Sequence, residues 1–101
     1  MDADDLQGLQ QKAGEAAQFM KLIANEHRLQ ILCNLAVRGE MTVNALADEV
    51  GLSQSALSQH LARLRDDELV AFRRESQTLH YRISDIRAVR ILETLKGIFC
   101  P

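Results

Sequence analysis

The sequence predicts a small, mainly α-helical domain carrying one β-hairpin, in the order α-α-α-α-β-β-α. Three observations carry this. Apolar residues recur at helical spacing through residues 4–67, punctuated by Gly39 and Gly51. The pattern switches to alternation over 70–83 and returns to the helical period over 85–99. No internal proline, low-complexity tract or repeat divides the chain, so residues 1–101 read as one domain.

The first helix is expected over 4–24. Leu6, Leu9, Ala13, Ala16, Met20 and Ile23 follow a 3-4-3-4-3 spacing, and Asp4 and Asp5 suit a helix start. This stripe either packs on its own domain or forms a dimer seam. Its small residues make it a weak zipper, and Gly8 and Gly14 weaken it further. A second helix over 26–38 places Leu29, Leu32, Cys33 and Ala36 on one face and closes at Gly39. Thr42 is a good N-cap for a short helix over 43–50, with Val43, Leu46, Ala47 and Val50 inward. Gly51 supplies a turn, and Ser53 caps a longer helix over 54–67 whose core stripe is Leu57, Leu61 and Leu64.

Over 70–75 and 78–83, Val70 and Phe72, then Leu79, Tyr81 and Ile83, point one way. The connection through Ser76 and Gln77 lacks an Asn-Gly signal, so the hairpin rests on the alternation alone. Ser84 is read as the cap of a last helix over 85–99, with Ile86, Val89, Leu92, Leu95 and Phe99 apolar. A short helix, a glycine turn and a longer capped helix make a helix-turn-helix, and the hairpin makes it winged.

The net charge is −2, unusual for a nucleic-acid binder. Its distribution is more telling. Residues 1–52 carry four Lys/Arg and eight Asp/Glu, whereas residues 53–90 carry seven Arg and five Asp/Glu. A DNA face therefore belongs in 53–90, and the acidic first half limits nonspecific binding. The acidic N-terminus differs from a secretory signal, and no apolar run reaches the roughly 20 residues of a membrane span. The expected setting is the cytoplasm, where two cysteines seldom form a permanent disulfide. A Gly-rich phosphate loop, a nucleophile elbow and a clustered acid–base set are all missing, so no enzyme is expected.

On the helix over 54–67, the side away from its leucines carries Gln54, Ser55, Ser58, Gln59 and Ala62. Short hydroxyls allow close approach, and Gln can pair bidentately with adenine. Ser58 and Gln59 are the candidate base readers, and Gln54 and Ser55 the candidate phosphate contacts. The bland alternative is a polar, solvated helix face. His60 lies on the flank of the core stripe and reads as a hydrogen-bonded, partly buried histidine rather than a ligand. Arg63 and Arg65 suit either phosphate or the carboxylates of Asp66, Asp67 and Glu68. Arg73, Arg74 and Gln77 give the hairpin tip a basic character suited to backbone or minor-groove contact, partly offset by Glu75.

The run from Leu46 to Leu61, above all Ser-Gln-Ser-x-x-Ser-Gln-His-Leu from Ser53 to Leu61, resembles the winged helix-turn-helix of the ArsR/SmtB family of bacterial repressors. The resemblance covers nearly the whole chain. It implies a homodimer on double-stranded operator DNA with an inverted repeat. Two metal sites of that family find no match. Val43-Asn-Ala-Leu-Ala-Asp48 lacks a Cys-x-Cys, and Asp85-Ile86-Arg87 lacks the Asp-x-His start. His27, His60 and His80 are scattered, so no metal or cofactor is expected, a nonstandard site aside.

Arg28-Leu-Gln-Ile-Leu-Cys33 and Phe99-Cys100-Pro101 resemble the two-cysteine branch that includes BigR, SqrR and HlyU. That resemblance implies a redox pair, Cys33 and Cys100, linked by reactive sulfur species or oxidants as inducer. Read alone, Cys33 fits an ordinary core hydrophobe. Cys100, at a chain end with little to pack against, is harder to explain that way. Incidental cysteines, or a winged-helix module that binds protein, remain the rival readings. The expected role is that of a repressor released when the two cysteines are linked, with activation and anti-silencing left open by the sequence.

Overall fold

The computed structural model describes residues 1–101. Six helices and a small sheet follow in the order α1 (Ala3–Gln11), α2 (Ala13–Ile23), α3 (Glu26–Arg38), β1 (Met41–Thr42), α4 (Val43–Val50), α5 (Gln54–Asp66), β2 (Val70–Glu75), β3 (Thr78–Ile83) and α6 (Ile86–Phe99). This is the expected winged helix-turn-helix, with two additions.

The first is a break in the expected helix over 4–24. It ends at Lys12, which is both the C-cap of α1 and the N-cap of α2. Gly8 and Gly14 bracket the break and lower helix propensity on either side. A capping box between Asp2 and Asp5 stabilises α1 locally, yet α1 buries no residue. The stripe read from the sequence does not pack on its own domain. Of its members only Ile23 is buried, and Phe19 and Leu22 supply the rest of the α2 core face. Leu6, Leu9 and Met20 are each about half exposed. The projecting α1 gives a radius of gyration of 15.0 Å, against about 13 Å for a compact domain of this length.

The second addition is β1, which pairs antiparallel with β3 through Met41↔Tyr81 and Thr42↔His80, giving the sheet order β1-β3-β2. Two residues are too few to show alternation in a sequence. In the hairpin, Phe72 pairs with Tyr81 and Arg73 with His80. Val70 and Tyr81 enter the core, while Arg73, Glu75, His80 and Arg82 share the other face. Ser76 takes a left-handed φ of 56° at the turn. Asparagine or glycine adopts that conformation at lower cost, which is why the turn carried no sequence signal.

The caps of the DNA-reading motif match the sequence reading. Thr42 Oγ1 accepts from the Ala45 N–H at 3.2 Å, and Ser53 Oγ from the Ala56 N–H at 3.1 Å. Gly51 adopts φ 69°, ψ 34° between α4 and α5, the left-handed conformation expected of it. Leu46, Leu57, Leu61 and Leu64 are at most 1% exposed and lock α4 and α5 against Ile31, Leu32 and Leu35 of α3.

Two expectations need correction. Cys33 and Ala36 are exposed, so the buried face of α3 is Ile31, Leu32 and Leu35, with Leu29 at its edge. Ser84 does not cap α6. Its hydroxyl donates to the Glu68 carbonyl at 2.8 Å, pinning the turn after α5, where Glu68 has φ 62°. Asp85 is the cap, and its carboxylate accepts from the Arg87 N–H at 2.9 Å. The α6 stripe is only partly inward, since Ala88 and Leu92 are buried while Ile86 and Phe99 are exposed.

Candidate nucleic-acid interface and thiol pair

The α5 leucines face α3 and α4, and the helical period turns the remaining residues outward. Ser55, Ser58, Gln59 and Arg63 are exposed, with Ala62 half-buried between them. The serines and Gln59 are short or neutral side chains on a rigid, doubly anchored helix, which suits close approach to a groove, and Arg63 adds a cation at its flank. Gln54 is exposed too, but its side-chain amide donates to Asn44 Oδ1 of α4. That bond orients Gln54 at the start of α5. Asn44 is a residue the sequence reading missed, because it lies ten positions before Gln54, outside any motif logic.

Arg63 and Arg65 make no ion pair with Asp66, Asp67 or Glu68. Arg65 instead stacks over the Phe72 ring, 5.3 Å from its centroid, and so braces the wing against α5. His60 is half-buried, and its Nδ1 accepts from Arg28 Nη1 at 3.4 Å. Burial, then the Arg28 charge, holds its pKa below the ordinary histidine value, so the ring is neutral near pH 7.

The wing separates two arginines that look alike in the sequence. Arg73 is held between two carboxylates, Glu40 at 2.8 Å and Glu75 at 2.9 Å. Its hydrogen bonds to them drive both carboxyls below their usual range and the guanidinium above its own. His80 stands beside the same two carboxylates, at 3.9 Å and 3.8 Å. Arg74, one residue on, is exposed and makes no ion pair. Gln77 is exposed in the turn. Arg74 is therefore a free cation near the tip of the wing, while Arg73 ties the wing to the segment after α3.

The cysteines lie on α3 and at the end of α6. Cys33 is in mid-α3 and Cys100 is the C-cap of α6, its N–H donating to the Lys96 carbonyl. Both are exposed and unbridged. Packing of α6 on α3 brings their surroundings together: although Cys33 is exposed, the partial loss of water around its sulfur pushes the thiol up, and the neighbouring Cys100 pushes it further. No three His, Cys, Asp or Glu side chains converge in a metal-holding group, and no helix is long and apolar enough to cross a membrane.

Known proteins share this fold. Residues 25–71 match the bacterial regulatory protein, arsR family, model. The transcriptional activator HlyU of Vibrio cholerae serotype O1 is 44% identical over 96 residues, spanning 95% of this chain and 88% of its own. The crystal structure of the transcriptional repressor BigR from Xylella fastidiosa superimposes with a TM-score of 0.88 at 33% identity, covering 100% of this chain and 99% of that one. The solution structure of the homodimeric winged helix-turn-helix domain of Mb0332 from Mycobacterium bovis gives a TM-score of 0.74 at 32% identity, covering 97% and 86%. These relatives are regulators of transcription, not enzymes. The chain belongs to the arsR family of bacterial regulatory proteins, which bind operator DNA as dimers.

Proposed function

We propose that this protein is a dimeric transcriptional repressor whose hold on operator DNA is controlled by a dithiol switch, Cys33 with Cys100. The observation that carries the reading is the placement of its two free thiols: both are exposed, one in α3 and one capping α6, and Cys100 lies within electrostatic reach of Cys33. An incidental core cysteine would be buried, and Cys33 is not.

In the reduced dimer, each α5 enters the major groove of one half-site, about one helical turn apart. Ser58 and Gln59 read base edges, Gln54 and Ser55 meet phosphate, and Arg63, Arg74 and Gln77 add backbone contacts. Arg73 acts at the wing through its two carboxylates. A second copy would cover the exposed Leu6, Leu9 and Met20 of α1 and α2 together with Ile98 and Phe99 of α6. Cys100 ends that same helix. Its exposure lets it meet the oxidant first, while the raised Cys33 thiol resolves the intermediate. Closing the disulfide removes two electrons and two protons, which a peroxide takes up as water and alcohol. An organic persulfide instead transfers its sulfane sulfur to a cysteine and leaves as the thiol; a cysteine persulfide on each side then condenses to a trisulfide with loss of hydrogen sulfide, a longer bridge. Either link ties α3 to the end of α6 and changes the spacing of the recognition helices. A coupling of about 1–3 kcal/mol is sufficient, or about 5–150-fold in affinity.

The test is fluorescence anisotropy on the DNA upstream of the protein's own gene, with reduced protein and with protein treated anaerobically with an organic persulfide. Reduced protein should bind and treated protein release, while Cys33→Ser binds in both conditions. Equal binding by both wild-type forms would reduce the cysteines to bystanders.

A further inference from the structure

Four basic side chains meet on the flank of α5 that faces away from the wing. Arg65 marks the wing side, over Phe72; His60 and Arg63 lie nearly opposite it around the helix. The first turn of α3 brings His27 and Arg28 against them. The rings of His27 and His60 are 5.8 Å apart at 41°, and Arg28 Nη1 is 3.4 Å from His60 Nδ1. Arg28 also donates from Nε to the Leu22 carbonyl at the end of α2, which fixes its guanidinium in place.

The acids are elsewhere. None of the ion pairs of the protein includes His27, Arg28, His60 or Arg63. The charges acting on His60 are Arg28 and His27 from α3 and Arg63 from α5, all basic, and α2 adds only a carbonyl already taken by Arg28. His27 Nδ1 is buried with no hydrogen-bond partner. In a chain of net charge −2, an uncompensated basic cluster beside the recognition face is unfavourable unless an anion completes it. Arg63 is exposed one turn beyond Gln59, so the cluster opens toward the same ligand as the base-reading residues.

We propose that Arg28, His60 and Arg63 form a second phosphodiester contact, to the backbone on the side of the groove opposite the wing, and that seating the phosphate takes up a proton on His60. The assignment rests on the DNA-binding reading above and extends it to α3. In the free protein Arg28 donates to a neutral His60. With a phosphate present, both donate to its oxygens instead, and His60 Nδ1 carries the added proton. Affinity then rises as pH falls from the His60 value in the complex toward its lower value in the free protein, and levels off below that.

Anisotropy titrations test this with wild type, Arg63→Gln and His60→Gln, on the upstream duplex and on a mixed-sequence duplex. Salt is varied at fixed pH, and pH from about 6 to 8 at fixed salt. Arg63→Gln should lower the salt slope by about 0.9 per protomer on both duplexes. Wild type should tighten toward low pH, by about tenfold for each unit that the phosphate shifts each ring. His60→Gln should lose that pH dependence while retaining its high-pH salt slope. Arg63 is exposed, so its replacement leaves the fold intact and keeps the test interpretable. An Arg63→Gln slope equal to wild type, or an undiminished pH dependence in His60→Gln, overturns the proposal. Wild type that binds neither duplex overturns the functional reading itself.

Discussion

The two wing arginines are adjacent in sequence, but their surroundings assign them opposite behaviour toward DNA. Replacing Arg74 with alanine removes an exposed cation that makes no ion pair. A dimer presents two wings, so two phosphate contacts are lost. Each phosphate accounts for about 0.9 in the slope of log affinity against log salt, so the dimer's slope should fall by about 1.8. Over a fourfold rise in salt, that is about twelvefold less weakening than wild type shows. Arg73 is already balanced by Glu40 and Glu75. Glu40→Gln should therefore release Arg73 toward the backbone, tighten binding and steepen the slope. The assay is anisotropy on one labelled duplex across a salt series for wild type, Arg74→Ala and Glu40→Gln. A wild-type slope in Arg74→Ala, or weaker binding in Glu40→Gln, would refute the division of labour between the two.

Other consequences follow from the packing and the titrations. Leu61→Ala empties a site that is 1% exposed at the junction of α3, α4 and α5; urea unfolding should show a loss of about 2–5 kcal/mol. Asp85→Ala removes the α6 cap and should cost about 1 kcal/mol at neutral pH. Hydrogen bonding from Arg87 lowers the Asp85 pKa below its ordinary 3.8. That stabilisation is complete above the unfolded value and fades as pH falls through the folded one, so the gap between variant and wild type in unfolding experiments should narrow only below about pH 4. Iodoacetamide should modify Cys100 faster than Cys33 in reduced protein near pH 7, since burial and the neighbouring sulfur suppress the Cys33 thiolate; peptide mass spectrometry reads the ratio.

The helix-turn-helix was legible because local rules govern it. Thr42, Gly51, Ser53 and the α5 leucines each act within a turn or two of chain, and each occupies its expected role. What escaped the sequence depends on partners far along the chain. Cys33 shares a helix face with Leu29 and Leu32 by spacing, but the tertiary packing buries Ile31, Leu32 and Leu35 and leaves it exposed. Arg73 looked like its neighbour until Glu40, across the sheet, claimed it. Ser84 has the composition of a cap, yet the Glu68 carbonyl engages its hydroxyl and Asp85 takes over. The break at Lys12 had a visible cause in Gly8 and Gly14, but the leucine stripe suggested continuity across it. Arg28 gave no signal in the sequence, because its basic neighbours arrive from α5, over thirty residues away.

The most direct measurement is a peptide map of the protein at the point where it releases DNA, made on dimers reconstituted from heavy- and light-isotope chains. The account predicts one cross-linked peptide pair containing Cys33 and Cys100, heavy with heavy or light with light, carrying a disulfide or added sulfur. Release of the DNA with both thiols still free, or with the bond running only between heavy and light chains, would contradict it.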